Sequence, residues 1–374
     1  VSILRLTVSG FRNLAAQQLE VGPGLTAIIG ANGSGKTNLL EAVAVLGNLT
    51  SFRPGPAAVW LQRGAPVPGC SLVGVIDRGG SEVEIRQDLR YAGALTRSLF
   101  RGARRLGAAE YLDLFPVATL SGYDRALIWG APEDRRRFLD RLCFQIRPDA
   151  LPTLQRYRRA LRHRNALLTR SCPAEEFDAF EHDLAVLGAE IVRLRLAALA
   201  GLERHLGEEL ETLGWSIVHP VLRYTAPDGV AVAEPATLVA RLRAALAASR
   251  RLERGRGHTA VGPHRHDLQF SVQGVPARDT LSAGQGKLLA TGLKLAAMAV
   301  VGRERGRRPL VVFDDVDAEL DAAVLQRVLG RLRDGGQALL SSAHEEMMLP
   351  RLTGGAVWRM NAGVVDVVVP GGIA

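Results

Sequence analysis

Cysteine is scarce in this chain. Cys70, Cys143 and Cys172 stand far apart, with neither metal-ligand spacing nor an even disulfide framework. They are expected as thiols of a reducing compartment. Long apolar runs are also missing: no stretch approaches the roughly 18 uncharged residues a spanning helix needs, which argues against a helical membrane protein. Internal repeats and low-complexity tracts are absent. Lysine is rare, with only a handful among 47 basic residues. From Val1-Ser2 the chain enters an alternating strand pattern directly, so no secretory signal and a cytoplasmic location are expected.

What remains is a chain of 374 residues, 47% apolar and 23% charged, the balance of a globular protein of one to three domains. The formal net charge of +9 favours a polyanionic partner, because each cation placed near a phosphate releases counterions. Arginine-rich coding would give the same charge without any partner.

Residues 3–9 alternate as a half-buried strand does, and Leu25–Ile29 is a short apolar run ended by Gly30. Beyond Asn38, Leu39, Leu40, Val43 and Leu46 recur at helical spacing. Segments 70–77 and 81–89 read as two strands around Gly79-Gly80. From about 132 to 256 the texture changes to Arg, Leu and Ala with little glycine. Within 174–213, Phe177, Phe180, Leu184, Leu187, Ile191, Leu194 and Ala198 follow steps of three and four, a seam for packing on another helix. Such a helix would run to about 60 Å. Residues 226–230 read as a loop within this region, and strand character returns at 258–275 and 310–313.

Three motifs carry chemistry. Gly30-Ala31-Asn32-Gly33-Ser34-Gly35-Lys36-Thr37 fits G-x-x-x-x-G-K-[ST] between a strand and a helix. Glycines there let backbone N–H groups turn around a phosphate at a helix N-terminus. Lys36 would reach the β- and γ-phosphates of ATP, and the Thr37 hydroxyl would ligate Mg²⁺. The second motif is an apolar strand, 310–313, ending in Asp314 and Asp315. Asp314 would hold the metal and Asp315 would polarise the attacking water, making Lys36, Asp314 and Asp315 the catalytic candidates. Third, Leu281-Ser282-Ala283-Gly284-Gln285 opens a helical pattern about thirty residues before Asp314. By itself it is an N-cap; beside the other two it becomes another anion site.

Together these motifs resemble the ABC-type ATPases, and within them the RecF family of bacterial recombinational repair. Gly10-Phe11-Arg12-Asn13 precedes the phosphate loop as that family's F-R-N does, and Ser51-Phe52-Arg53 follows it. Gly130 through Asp140 is similar to G-x-P-x-x-R-R-R-F-L-D, and Tyr157 through Arg164-Asn165-Ala166-Leu167-Leu168 to its Y…R-N-x-L-L helix. Gly188-Ala189-Glu190-Ile191, Val261 through Leu268 and Asp314 through Asp321 match further stretches. The chain departs from the pattern at Gly286, where a second Gln is usual, at His266, where an Asp is, and at 121–124, where only Asp124 matches.

The resemblance implies an α/β fold: an ABC-type head formed from residues 1–130 and 257–374, with an inserted, mainly helical lobe at 131–256. It implies that Arg12, Asn13 and Arg53 lie near the phosphates of ATP. Ser282, Gly284 and Gln285 of one copy would cap the γ-phosphate held by another. Glu319 and Asp321 would form a loop crossing that dimer interface, and Ser341-Ser342-Ala343-His344 would include a γ-phosphate sensor. The implied activity is weak, DNA-stimulated ATP hydrolysis. An ATP-dependent homodimer would grip double-stranded DNA near single-strand junctions and, with RecO and RecR, support RecA loading, replication restart and the SOS response. No membrane partner is implied. A transporter motor subunit is the alternative, but there the signature follows the phosphate loop far sooner. A chromosome-organising head of the SMC kind would need a far longer insertion. The arginine runs at 101–105, 135–137, 156–164 and 303–308 are the DNA candidates, each readable equally as solvated or structurally paired. His264, Arg265, His266 and Asp267 read as a hydrogen-bonded turn in preference to a metal site.

Overall fold

The computed structural model describes residues 1–62, 69–170, 173, 175–227, 235–352 and 355–369, apart from the side chains of 235, 319 and 367–369. It divides into two compact units. The first comprises Val1–Arg125, Glu208–Ser216 and Ser282–Ala374, and the second Ala126–Gly207 and Ile217–Leu281.

Two sheets build the first unit. One is antiparallel: β1 (Ser2–Ser9), β2 (Gln17–Glu20), β4 (Gly69–Asp77), β5 (Glu82–Ala92), β6 (Ala94–Arg101) and β7 (Arg104–Arg105), ordered β2-β1-β4-β5-β6-β7. Its strands alternate, as β4 does throughout, because only one face meets the core. The other sheet contains β3 (Leu25–Ile29), β8 (Val117–Leu120), β12 (Leu310–Phe313), β13 (Ala338–Ser342), β14 (Ala356–Asn361) and β15 (Val364–Val369), ordered β15-β14-β3-β13-β12-β8. All its pairings are parallel except β14 with β15. Every residue of β3, β12 and β13 is buried, the continuous apolar signature of a sheet covered on both faces.

Helix α1 (Lys36–Asn48) packs on β8 and β13 of one sheet and on β4 of the other. Two glycines permit that approach: a Cβ on Gly47 would come within 2.3 Å of Val117, and one on Gly74 within 2.9 Å of Leu46. The unit is completed by α2 (Ala108–Leu114), α9 (Ala283–Arg305), α10 (Val316–Glu319), α11 (Ala322–Gly335) and α12 (Glu345–Met348). Val324, Leu325, Val328, Leu329 and Leu332 of α11 form one apolar stripe in the core. In register, Ile29 lies beside Ser342, and Phe313 beside Leu340. The residues that follow β3 and β12 therefore emerge at the same sheet edge.

The second unit holds α3 (Ala126–Trp129), α4 (Pro132–Ile146), α5 (Ala150–Leu168), the first part of α6 (Glu175–Leu213), α7 (Pro235–Arg256) and α8 (Ala277–Thr280). Helix α6 is a single run of 39 residues, about 58 Å at 1.5 Å per residue. The expected seam is buried along it except at half-buried Phe180. Strands β9 (Val221–Thr225), β10 (Asp267–Val272) and β11 (Val275–Pro276) form a small antiparallel sheet.

That sheet corrects the expected boundary at 256/257. Residues 257–281 group with the lobe because β10 pairs with β9, and because Asp267 holds Arg135 at 2.8 Å. In the other direction, 208–216 group with the head: Glu209 takes Arg331 at 2.5 Å and the Leu213 carbonyl takes Arg327 at 2.9 Å. Residues 258–266, expected as strand, are turn and irregular backbone. Most of the expected 226–230 loop, and Cys172, lie outside the described residues. Cys70 and Cys143 are buried free thiols.

Candidate nucleotide site

Gly33 and Gly35 adopt φ of 81° and 115°, conformations that side-chain-bearing residues rarely take, and these open the loop between β3 and α1. At Gly30 a Cβ would lie 2.3 Å from the Met360 carbonyl, so the loop also rests closely on β14. Lys36 is only 4% exposed, and its ammonium donates to the carbonyls of Gly30 at 2.7 Å and Ala31 at 3.0 Å. The Ser34 hydroxyl is buried without a partner among the described residues.

The Thr37 hydroxyl donates to Asp314 Oδ1 at 2.9 Å, joining positions 277 residues apart. Ser341 Oγ donates to the same oxygen at 2.7 Å and accepts from the Asp315 backbone N–H at 2.8 Å. Burial pushes the Asp314 carboxyl above the usual carboxylate range; hydrogen bonds from Ser341 and Thr37 oppose this, and neighbouring Asp315 adds to it. Asp315, at φ 50°, is also raised by burial, against the attraction of Lys36. The Asp314 carboxylate and the Thr37 hydroxyl it accepts from are hard oxygen groups of the kind that suit Mg²⁺. Among the described residues no group of three or more His, Cys, Asp or Glu could hold a metal alone. Phosphate oxygens and water would have to complete the coordination, as is usual for this ion.

Beside the loop lies a buried carboxylate. Glu41, fully inaccessible, takes the Arg12 guanidinium through bonds of 2.8 and 2.9 Å and the Ser51 hydroxyl at 2.7 Å. Arg53 bonds Asn38 at 2.8 Å and reaches Glu41 at 3.4 Å, while Asn38 donates to Asn13 at 2.6 Å. Arg12, Asn13 and Arg53, expected near the phosphates, are thus tied to α1 through Glu41 and Asn38. Glu41 was not singled out in the sequence. Its signal was a carboxylate within the apolar run of α1, which must be paired to be buried.

Ser282 caps α9: its hydroxyl accepts from Gln285 N at 3.3 Å, and the Gln285 side chain accepts from Ser282 N at 3.0 Å. Among the described residues, no hydrogen bond or ion pair joins Ser282, Gly284 or Gln285 to the phosphate loop. A Cβ on Gly284 would meet nothing within 4 Å, so no packing among the described residues requires glycine there. Asp321 caps α11, accepting from Ala323 and Val324 N–H at 2.9 and 2.8 Å; the Glu319 side chain lies outside the described residues. His344 Nδ1 lies 2.7 Å from Asp317, which also accepts from Ser342 at 2.8 Å. Burial disfavours the Asp317 carboxylate, yet the bonds from His344 and Ser342 hold it below its usual range. The 264–267 segment is a hydrogen-bonded turn, with His264 between Tyr157 at 2.7 Å and the Thr259 carbonyl at 3.0 Å.

The profile of the RecF/RecN/SMC N-terminal domain matches residues 2–351. The DNA replication and repair protein RecF of Anaeromyxobacter sp. (strain K) is 36% identical, and the alignment covers 99% of this chain and 100% of that protein. The chain belongs to the RecF family. Among solved structures, the recombination mediator protein RecF-ATP of the RecFOR pathway superposes with a TM-score of 0.88 at 27% identity, over 97% of this chain and 96% of that RecF chain. An SMC head bound to the C-winged helix domain of ScpA reaches 0.55 at 18% identity, which extends the likeness of fold alone beyond RecF. No helix among the described residues is long and apolar enough to cross a membrane.

Proposed function

We propose that this chain is an ATP-hydrolysing recombination mediator of the RecF type, acting in DNA replication and repair. The Thr37–Asp314 contact carries the reading, because it unites the phosphate loop with the strand-end carboxylate at one point. Backbone N–H groups of Gly33–Lys36 cradle the β-phosphate, and Lys36 exchanges its two carbonyl partners for phosphate oxygens. Thr37 and Asp314 hold Mg²⁺, which neutralises phosphate charge when bound. Asp315 orients the attacking water and accepts its proton. Its half-buried position, which raises its basicity, and its fixed backbone support that role.

Ser282, Gly284 and Gln285 complete the site of a second copy. The exposed positions of Ser282 and Gly284 and the unexplained glycine favour capping between copies. A γ-phosphate held by both protomers stabilises the dimer only while it remains attached, so hydrolysis releases it. The ATP-bound dimer grips duplex DNA near single-strand gaps and, with RecO and RecR, supports RecA loading, replication restart and SOS induction. Turnover is slow, DNA stimulates it, and the chain works in the cytoplasm.

Light scattering with and without ATP and duplex DNA tests this reading. The unaltered chain should dimerise only with ATP. Lys36→Ala should lose both nucleotide binding and dimerisation, whereas Ser282→Arg should bind ATP as a monomer and form no dimer. An ATP-dependent dimer surviving Ser282→Arg would rule out capping between copies.

A further inference from the structure

Of the four arginine runs, 135–137 and 303–308 are largely committed to partners within the fold, and 101–105 is committed at Arg104. Arg135 holds Asp267 through bonds of 2.9 and 2.8 Å, Arg136 donates to the His266 carbonyl at 2.8 Å, and Arg137 pairs with Glu133 at 2.5 Å. Arg305 and Arg307 converge on Asp113, and Arg308 donates to the Asp334 carbonyl. Arg104 pairs with Glu110 at 2.8 Å.

Helix α5 differs. Its sequence contains no Asp or Glu. Leu154, Tyr157, Ala160, Arg164 and Leu168 form its buried side, where Arg164 is consumed by Glu181 and Glu253 at 2.9 and 2.6 Å. On the opposite side Arg156, Arg159 and Arg162 are exposed, and Arg170 follows just beyond the helix end. None of these four side chains has an ionic or hydrogen-bonding partner among the described residues. Some exposed arginines of the same unit do find acids: Arg147 meets Asp149 at 2.9 Å, and Arg193 meets Glu190 at 2.6 Å. Arg159, Arg162 and Arg170 line an open groove of about 600 Å³ whose lining holds no carboxylate. Its side wall includes the rings of His163 and Phe180, 5.5 Å apart.

We propose that this face of α5 takes the phosphodiester backbone of the nucleic acid. The assignment rests on the duplex-binding reading above and names where that binding occurs. Arg156, Arg159 and Arg162 fall within about 120° of the helix circumference, and the line from 156 to 170 is about 21 Å long. A duplex carries a phosphate every ~3.4 Å of axis on each strand, so such a line meets several without needing a fixed register. An acidic protein would present carboxylates at a few set points, and docking it would call for buried aromatic or aliphatic anchors. The exposed stripe offers arginines in their place.

The test is the full chain carrying Arg159→Gln, Arg162→Gln and Arg170→Gln together, titrated with a labelled duplex and ATP across a salt series. Circular dichroism melting serves as the folding control. Loss of three phosphate contacts should flatten the slope of log affinity against log salt by roughly 2.7 and weaken binding roughly 10- to 100-fold at low salt. The matching triple lysine variant should regain the slope, since it keeps the charge. A glutamine variant with the slope and affinity of the unaltered chain would overturn the assignment and leave the duplex-binding reading standing. An unaltered chain with no salt-dependent duplex binding would take down both. Polyglutamate displacing the labelled duplex as well as equal charge of unlabelled duplex would point to an acidic protein partner and overturn the assignment.

Discussion

Both units bury charge, and the phosphate-loop region of the head does so differently from the lobe. In the lobe, Arg164 is wholly inaccessible but bonds Glu181, Glu253, Thr259 and the Leu246 carbonyl, while Arg195 bonds Asp140, Tyr224 and the Pro263 carbonyl. These groups are satisfied, and the role their geometry supports is to fix how the helices pack. In the head, Asp314 and Asp315 are raised by burial, Lys36 rests on backbone carbonyls, and the Ser34 hydroxyl has no partner among the described residues. That arrangement fits the proposed binding of a cation and phosphates. Satisfied charge marks structure here, and unsatisfied charge marks a site.

The largest expected effect follows from the unsatisfied side. Asp315→Ala should bind ATP and trap the dimer while turnover falls roughly 10²–10⁴-fold, because only the water-activating step is lost. Its unfolding midpoint should not fall, since a desolvated carboxyl has been removed. Normal turnover would refute the role of Asp315, and a clear loss of stability would break the comparison itself.

On the satisfied side, Arg164→Ala leaves Glu253 buried without its guanidinium partner and Glu181 with Arg250 alone. Denaturant unfolding should show a loss of about 3–5 kcal/mol. A cost below about 1 kcal/mol would mean that the lobe network is not structural in this sense.

The smallest effect concerns pH. Burial lowers His264 from 6.5 to about 4, so the folded lobe holds it neutral between Tyr157 and Thr259. Its folded pKa lies below its unfolded one, and its contribution is therefore complete above about pH 6.5 and lost as pH falls towards 4. At most about 3 kcal/mol is involved. His264→Gln should flatten stability between these values; an unchanged profile would assign the acid sensitivity elsewhere.

Much of the head was legible because its signals are local. An apolar run ended by glycine, a phosphate loop and a helical pattern specified β3, the loop and α1 from consecutive residues. The same holds for β12 with Asp314 and for the seam of α6. The boundary of the lobe was not legible, since β10 belongs to it through pairing with β9, about forty residues earlier, and through Arg135, more than a hundred residues earlier. Ser341 lay in a segment expected to sense the γ-phosphate, yet its bond to Asp314 depends on two strands lying side by side. The tie from Arg12 and Arg53 to Glu41 likewise joins three separate segments.

The sequence by itself determined that a nucleotide loop and a strand-end carboxylate exist, because glycine φ freedom, strand alternation and helix periodicity act between near neighbours. Tertiary structure alone decided which charges are spent and which are left over. Whether an arginine is an internal tie or a free cation depends on the acid that folding brings to it from elsewhere in the chain. Arg135 and Arg164 met theirs; Arg159 and Arg162 met none among the described residues.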